Sequence, residues 1–375
     1  MKRLLLPALP ILLLAPAHAA GDGCPPETCG MQSTAVPGSP VVALRPAGTL
    51  DAYDVRSGRL RYSLPWATPS ADGRVAWMPE NARRVTVLKR YDAESGRLVR
   101  RWRLGPRLSV PAVSADGRRV VLQAPGPATR TRLVVFDART GHLRPVRLSG
   151  NFSPEAISLD GRRLFLVQYV KAGYRVRLYD LARGRLQPGE LKARNEDEPM
   201  RGFPAYAVGA PDGHWLLTLY VKPRQREAFV HALDLRRGVA YCLDLPGHGS
   251  SPELSDWALS LGLDGRSLYA ANAAVGLATR IDLSTLEAGR PLRIEAPHVT
   301  ADQFVSSALS PRGDLVYFGS LHGLWAWDLR ANRVRGPYRP NRIGGFAFTP
   351  GGRRLVVITP GGRALWLDAA TGRRV

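Results

Sequence analysis

A repeated strand pattern runs through most of the chain and limits the fold more than any other feature. Eight segments rich in aromatic and aliphatic residues each end in an aspartate, namely Asp54, Asp92, Asp137, Asp180, Asp234, Asp282, Asp328 and Asp368. Successive aspartates lie 38 to 54 residues apart, about 45 on average. A period of roughly 40–45 residues that contains four short strands is typical of a β-propeller blade. The pattern therefore predicts an all-β propeller of four-stranded blades.

A second repeat, a tight turn that contains glycine, follows the first strand of each unit. The turns are STAVPGS at 33–39 and the four-residue turns that end at Gly73, Gly117, Gly161, Gly213, Gly265, Gly313 and Gly352. Glycine supplies the positive φ angle that such hairpins need. Eight first strands predict eight blades within residues 33–375. Because the last unit reaches Val375 soon after its third strand, a seven-bladed ring with the extra unit packed differently is the alternative.

The repeated aspartates invite a functional interpretation, but their position favours a structural one. An aspartate just before a turn can accept hydrogen bonds from the backbone N–H groups of the residues that follow it. A residue that recurs in every unit serves the unit itself. We therefore expect these carboxylates to stabilise turns rather than to bind a ligand.

Several segments resemble the YVTN-type repeat, a prokaryotic relative of the WD-repeat propellers. The resemblance is carried by SADGRRVVLQ (114–123) and RLVVFDARTGHL (132–143), and it returns in YDAESGRL (91–98) and SPRGDLVYFGS (310–320). It covers roughly residues 33–375 and implies a bacterial propeller. Propellers of this type include binding modules, lactonase-like enzymes and quinoprotein subunits, so the resemblance carries over no catalytic residue.

The N-terminus has the features of a secretory signal peptide over residues 1–20. Lys2 and Arg3 form a positive region, Leu4 to Leu14 is an apolar stretch broken by prolines, and Ala17-His18-Ala19 is a small-residue cleavage signal. The apolar stretch is too short to predict a membrane span. We therefore expect an exported protein (secreted, periplasmic or on the cell surface), with no transmembrane segment in the mature chain.

The segment 21–32 holds two cysteines, Cys24 and Cys29, in the sequence GCPPETCG. In an exported protein this spacing favours a disulfide that closes a small loop. A lipid anchor on Cys24 is a less favoured alternative, because the residues before it lack the aliphatic residue of a typical lipobox. Metal binding and free thiols are further alternatives. Cys242, in the strand-like VAYCLDL, is expected to be a buried small side chain.

The chain is strongly basic, with 53 lysine and arginine residues, 31 acidic residues and a formal net charge of +22. Arginine supplies nearly all of the positive charge. Such a surface could attract polyanions. The arginine pairs recur at turns in most units, however, and this favours a solvated basic surface without specific nucleic-acid binding.

Long insertions occur only in the connections that a propeller places on one face, which we call the loop face. These are the connections between second and third strands and those between blades; the insertions are 78–84, 192–204, 222–227, 246–256 and 295–304. The opposite connections are uniformly tight and form the turn face. Because insertions on a rigid scaffold often carry specificity, the loop face is the predicted binding face.

Three consecutive loop-face insertions contain most of the acidic residues that do not follow the repeat. The binding-face candidates are Glu196, Glu198, His248, Glu253, Trp257, Glu295 and His298, and the candidate Ca²⁺ ligands are Asp197, Asp256 and Asp302. The alternatives are separately solvated polar loops, a Ca²⁺ site, recognition of a cationic partner, or acid–base chemistry. Trp257 is the favoured aromatic contact for a ligand.

The sequence lacks the local signatures of common enzymes, including G-x-S-x-G, H-E-x-x-H and the phosphate-binding glycine loop. We therefore expect an exported, monomeric binding or scaffolding module without a cofactor, whose partner is a protein, a glycan or a wall polymer. One alternative is a hydrolase or lactonase-like enzyme with an acidic, cation-assisted site on the loop face. Another is a polyanion-binding surface protein.

Overall fold

The computed structural model describes residues 41–44, 49–105, 107–171, 173–191, 200–295, 305–321, 323–338 and 343–375. Almost all of the regular structure in these ranges is β-strand, and every strand pair is antiparallel. The one described helix, α1, is only five residues long, so no helix in these ranges could cross a bilayer.

The described strands form eight sheets in chain order, which we call blades 1 to 8. Blade 1 contains β1 (Val41–Leu44), β2 (Thr49–Asp54) and β3 (Leu60–Pro65). Blade 2 contains β4 (Thr68–Pro69), β5 (Val75–Asn81), β6 (Thr86–Asp92) and β7 (Leu98–Leu104). Blade 3 contains β8 (Ser109–Val113), β9 (Arg119–Ala124), β10 (Arg130–Asp137) and β11 (Leu143–Ser149). Blade 4 contains β12 (Asn151–Ile157), β13 (Arg163–Val170), β14 (Gly173–Asp180) and β15 (Arg185–Leu186). Blade 5 contains β16 (Phe203–Gly209), β17 (Trp215–Lys222), β18 (Glu227–Asp234) and β19 (Val239–Asp244).

The remaining blades follow a short helix, α1 (Ser251–Ser255). Blade 6 contains β20 (Ala258–Leu261), β21 (Ser267–Asn272), β22 (Leu277–Asp282), β23 (Glu287–Ala288) and β24 (Leu292–Arg293). Blade 7 contains β25 (Ser306–Leu309), β26 (Leu315–Ser320), β27 (Gly323–Asp328) and β28 (Arg333–Tyr338). Blade 8 contains β29 (Gly345–Phe348), β30 (Arg354–Ile358) and β31 (Ala364–Asp368).

The eight sheets confirm the prediction of an eight-bladed propeller. Neighbouring strands follow chain order, as expected for a meander, except in blade 6, where both β23 and β24 pair with β22. Blade 8 has three strands, and an isolated bridge between Leu367 and Arg374 begins a fourth. The first strand predicted for blade 1, the signal peptide 1–20 and the segment 21–32 lie outside the described residues.

Apolar side chains fill the space between adjacent blades and close the ring. There are eight buried clusters, and each takes its residues from two neighbouring blades. One of them joins Tyr53 and Val55 of blade 1 to Val356 and Ile358 of blade 8. Since burial of apolar surface is the main force that holds the blades together, this cluster seals the two ends of the repeat.

The repeated aspartates stabilise turns, as the sequence predicts. The Asp54 carboxylate accepts hydrogen bonds from the backbone N–H groups of Arg56, at 3.0 Å, and Ser57, at 2.7 Å. All eight repeated aspartates accept such bonds from residues two or three positions further on. Asx turns of this kind explain why the residue recurs in each blade.

Contacts between connections agree with the two predicted faces. The Gly249 N–H, in the connection between blades 5 and 6, donates to the Arg226 carbonyl in the hairpin between β17 and β18, at 3.2 Å. Likewise, the Tyr174 N–H at the start of β14 donates to the Met200 carbonyl, in the connection between blades 4 and 5, at 3.0 Å. Inter-blade connections and second-to-third strand connections therefore share the loop face.

Candidate functional site

The connection between blades 5 and 6 builds the best-defined part of the loop face. It contains α1, whose first turn is fixed by Glu253. The Glu253 carboxylate accepts hydrogen bonds from the Ser250 N–H, at 2.6 Å, and from the Ser250 hydroxyl, at 2.7 Å. Serine followed three residues later by glutamate is a known sequence signal for a helix start. Glu253 therefore stabilises its own loop, and its carboxylate is engaged there.

These hydrogen bonds also set the ionisation of Glu253. The Ser250 N–H and hydroxyl, together with the positive charge of Arg226, lower the pKa of Glu253, although partial burial opposes this effect. The carboxylate is consequently ionised at neutral pH. It provides the negative charge that the N-terminal turn of a helix favours.

Two apolar side chains anchor this connection to the ring. Leu254 and Trp257 are both fully buried in the cluster between blades 5 and 6. Two hydrogen bonds add to the anchor: the Asn272 side-chain amide donates to the Glu253 carbonyl at 2.7 Å, and the Tyr206 hydroxyl donates to the Trp257 carbonyl. The connection is thus held in one conformation by the same core that holds the blades.

The burial of Trp257 changes the role expected for it. The sequence places this tryptophan at the end of a polar insertion and favours it as an aromatic contact for a ligand. In the structure its ring is 0% exposed and packs inside the core. Trp257 therefore anchors the loop to the core between blades 5 and 6 and offers no surface to a ligand.

The exposed side chains of this part of the loop face are more basic than the sequence suggests. Arg224 and Arg226 in the β17–β18 hairpin are exposed, and so are His248 and Ser250 in the neighbouring connection. Because Glu253 is engaged in the helix start, the β17–β18 hairpin and the neighbouring connection present these cations next to the Ser250 hydroxyl. Glu295, the remaining described acidic candidate, is exposed at the end of blade 6.

Asp256 lies against a small cavity between blades 6 and 7. Its side chain is buried, and the cavity wall also includes Ala258, Val305 and Phe318. The space amounts to about 10 Å³, which is room for about one water molecule. Asp256 thus lines this small cavity with a buried polar side chain and is not an exposed binding residue.

The remaining candidates from the three acidic loop-face insertions are not among the described residues. Glu196, Asp197, Glu198, His298 and Asp302 lie outside the described residues, as do Cys24 and Cys29. Across the ranges that the structure covers, no group of three or more His, Cys, Asp or Glu side chains is arranged to hold a metal ion. The Ca²⁺ site, like the disulfide, stays a prediction.

A buried polar cluster between blades 4 and 5 was not anticipated from the sequence. The Glu155 carboxylate on β12 lies 3.4 Å from Nδ1 of His231 on β18, and the Thr218 hydroxyl on β17 lies 3.3 Å from the same Glu155 oxygen. His231 is 0% exposed. The only sequence signal is a polar residue within each of two apolar strands, PEAI and FVHAL.

Tyrosines surround this pair and remain protonated. Burial and the nearby Glu155 carboxylate raise the pKa of Tyr169, and the same two causes raise the pKa of Tyr220 well above its usual value. Tyr220 stacks on Tyr174 with the ring centroids 5.0 Å apart. Cys242 packs beside this cluster and is only partly buried. The group is an internal polar contact between blades, with neutral hydroxyls around one acid–imidazole pair.

Comparisons with known proteins support the fold alone. No family model matches the chain, and no curated protein does. Among solved structures, the Dos1 propeller superposes with a TM-score of 0.53 at 15% identity, covering 91% of this chain and 92% of that one. Dihydro-heme d1 dehydrogenase NirN, solved in complex with DHE, gives 0.51 at 18% identity, covering 97% of this chain and 75% of that one. The chain is therefore similar in architecture to known β-propellers.

Proposed function

We propose that the protein is an exported β-propeller that binds a macromolecular partner, favoured to be a protein, on its loop face. The observation that carries this proposal is the anchored connection between blades 5 and 6. Its helix start is closed by Glu253 and its base is fixed by Leu254 and Trp257, so its backbone is held in one conformation before binding. A rigid surface loses little conformational entropy when a partner docks.

The charge of the described surface indicates what the partner presents. Arg224, Arg226 and His248 project from neighbouring loops. Arginine can bind a carboxylate through two parallel hydrogen bonds and so favours acidic partners. An acidic patch on a partner protein would therefore complement this part of the face. The resemblance to YVTN-type propellers, and export through a signal peptide, belong to the same proposal.

Site-specific photocrosslinking in the native cell envelope tests the proposal. A photoreactive amino acid at Pro252, exposed on α1, should give one discrete adduct with another protein. The matched control places the same group at Arg118, which is exposed on the turn face. The adduct should also disappear when Arg224 and Arg226 are both changed to glutamate. Equal crosslinking from both faces, or an adduct that survives the charge reversal, would contradict the proposal.

The enzyme alternative has less support. It requires acidic or histidine side chains from several blades to meet at an accessible place on the loop face. In the described part of that face, Glu253 is engaged at the start of α1 and Asp256 is buried. In the Glu155–His231 pair, His231 is fully buried and the Glu155 side chain is only 10% exposed. Binding therefore fits the described residues better than catalysis.

A further inference from the structure

The outer strands of blades 2 and 3 place like charges directly opposite each other. In blade 2, Arg90 on β6 pairs in register with Arg100 on β7, and in blade 3 Arg132 on β10 pairs with Arg147 on β11. A third pair, Lys89 with Arg101, lies on the other side of blade 2. Directly opposed like charges destabilise an antiparallel sheet. Lys89 already has Glu80 as its counterion, so the pairs without a described counterion are Arg90 with Arg100 and Arg132 with Arg147.

The other blades use the opposite pattern. Examples of directly opposed charges there are Arg163 with Asp180 and Lys222 with Glu227. Within the described strands, directly opposed cations occur only at the three pairs in blades 2 and 3. The sequence shows the same bias, since residues 49–149 contain 20 basic and 8 acidic residues, a net charge of +12, whereas residues 150–375 have a net charge of +9. The positive charge of the molecule is thus concentrated on one sector of the ring.

Two of these pairs lie on the sides of blades 2 and 3 that face each other. Arg90 is directly opposite Trp77 and therefore shares its side of blade 2, which packs against blade 3. On that side Trp102 packs against Phe136 of blade 3 with ring centroids 5.0 Å apart, and the Arg100 guanidinium lies 5.0 Å from the Trp102 ring. We call Arg90, Arg100, Trp102, Arg132 and Arg147 the blade 2–3 seam.

Blade 3 supplies the second cationic pair of the seam. Arg132 lies four residues before Phe136 on β10, so both side chains point to blade 2, and Arg147 lies opposite Arg132. Four residues of a strand span about 13 Å. The Arg132–Arg147 pair therefore lies further along the seam than Phe136, whereas Arg100 lies beside the aromatic contact.

The four arginines are free to bind an anion. No described carboxylate forms an ion pair with any of them, and Arg100, Arg132 and Arg147 are exposed, whereas Nε of Arg90 is buried and out of reach of a ligand. Arg132 donates one hydrogen bond, at 2.7 Å, to the Pro125 carbonyl. Their guanidinium groups retain unused donors arranged in a fork that fits a phosphate.

We propose that the blade 2–3 seam binds a linear phosphate polymer, whose repeated phosphoryl groups neutralise the two arginine pairs. A base or a sugar ring would have to displace Arg100, Phe136 or Trp77 in order to stack on Trp102, since all three already pack there. Anionic oxygens require no such displacement. The seam shares no residue with the loop-face site, so the two proposals stand or fall separately.

The affinity of the mature protein for long-chain inorganic polyphosphate, measured by titration at several salt concentrations, tests the proposal. Neutralisation of four phosphoryl charges predicts a slope of about −3 for log K against log salt. Changing Arg100 and Arg147 together to alanine should weaken binding at least about tenfold and reduce the slope by about 1.4. The variant with Arg100 and Arg147 both changed to lysine should have an intermediate affinity, because lysine keeps the positive charge but lacks the forked guanidinium group.

The matched control changes Arg312 and Arg333, two exposed arginines of blade 7, to alanine. It removes the same net charge and should change the affinity less than twofold, while thermal unfolding confirms that all variants are folded. Equal losses in seam and control variants would reduce the effect to net charge and overturn the proposal. Tighter binding of heparin or single-stranded DNA than of polyphosphate would overturn the choice of ligand.

Discussion

At the scale of single residues, the repeated aspartates illustrate how a local hydrogen-bond pattern sets an ionisation state. Partial burial alone would raise the pKa of Asp54, but hydrogen bonds from Ser57, Arg61 and the Arg56 N–H outweigh it and lower the pKa to about 2. The pKa values of Asp92 and Asp137 are lowered by equivalent turn contacts. The folded chain therefore stabilises the ionised form of each of these carboxylates.

The sign of the pKa shift predicts how stability depends on pH. Because the pKa of Asp54 is lower in the folded chain than in the unfolded one, its stabilising effect is present above the ordinary value near 4 and is lost as the pH falls toward about 2. Urea midpoints should therefore decrease from about pH 5 to about pH 2. Asp54→Asn should lower the midpoint at neutral pH and flatten this decrease. A variant as acid-sensitive as the wild type would contradict the assignment.

The buried Glu155–His231 pair gives a second prediction at this scale. Changing Glu155 to alanine leaves the fully buried His231 without its carboxylate neighbour, so the free energy of unfolding should fall by about 1–3 kcal/mol. Thr218→Val removes only the 3.3 Å contact and is the matched control, with a smaller loss. Urea unfolding at neutral pH measures both. If the two variants were equally stable, the pair would have no special role.

At the scale of elements, strands were more predictable from the sequence than the loop that carries the site. Alternating apolar residues and turn glycines in residues 151–187 predict strands over 154–158, 162–169 and 174–180, and the structure has Asn151–Ile157, Arg163–Val170 and Gly173–Asp180. These strands were predictable because alternation and turn glycines are local signals. Helix α1 went unpredicted, although Ser250 and Glu253 carry its start signal.

The site residues were harder to predict for a physical reason. Whether Trp257 lies in the core depends on where a polar insertion folds back, and Glu155 meets His231 only because two blades pack together. Neither fact is encoded by nearby residues. The Arg-Arg-Trp-Arg segment of β7 is a local signal, yet its partner strand had to be known before its charges could be seen to oppose those of β6.

Loss of the Glu253 contact should loosen the connection between blades 5 and 6 while the ring stays folded. Glu253→Ala removes both hydrogen bonds to Ser250, and loss of a helix cap costs about 0.5–2 kcal/mol. We expect faster proteolysis and faster amide exchange within 246–256, with little change elsewhere. Glu287→Ala, at an exposed site on β23, is the control. Unchanged exchange in the loop would show that Glu253 does not hold it.

At the scale of the whole molecule, the ring is stabilised by eight inter-blade clusters rather than by one central core. Each blade contacts only its two neighbours, so sequence-distant contacts matter mainly at the closing cluster between blades 1 and 8. Such a scaffold leaves the two faces and the outer rim free to differ from blade to blade. This explains how a regular repeat can carry an irregular loop face.

Substitution of a tryptophan buried between blades 5 and 6 should destabilise the entire ring. Trp257→Ala opens a cavity in the cluster between blades 5 and 6 and should lower the free energy of unfolding by about 3–5 kcal/mol. Trp66 is 56% exposed, so Trp66→Ala should change it by no more than about 0.5 kcal/mol. Chemical unfolding followed by circular dichroism measures both. Similar losses for the two variants would contradict the burial of Trp257.

The charged outer strand of blade 2 also has a consequence for how copies of the molecule meet. β7 is the last strand of its sheet and exposes Leu98 and Val99, with a free backbone edge that another strand could extend. Cationic side chains along such an edge keep it from pairing with a second sheet. A ligand that neutralises Arg100 therefore weakens the repulsion that keeps two rims apart. Occupancy of the seam and side-by-side clustering of propellers are in this way physically coupled.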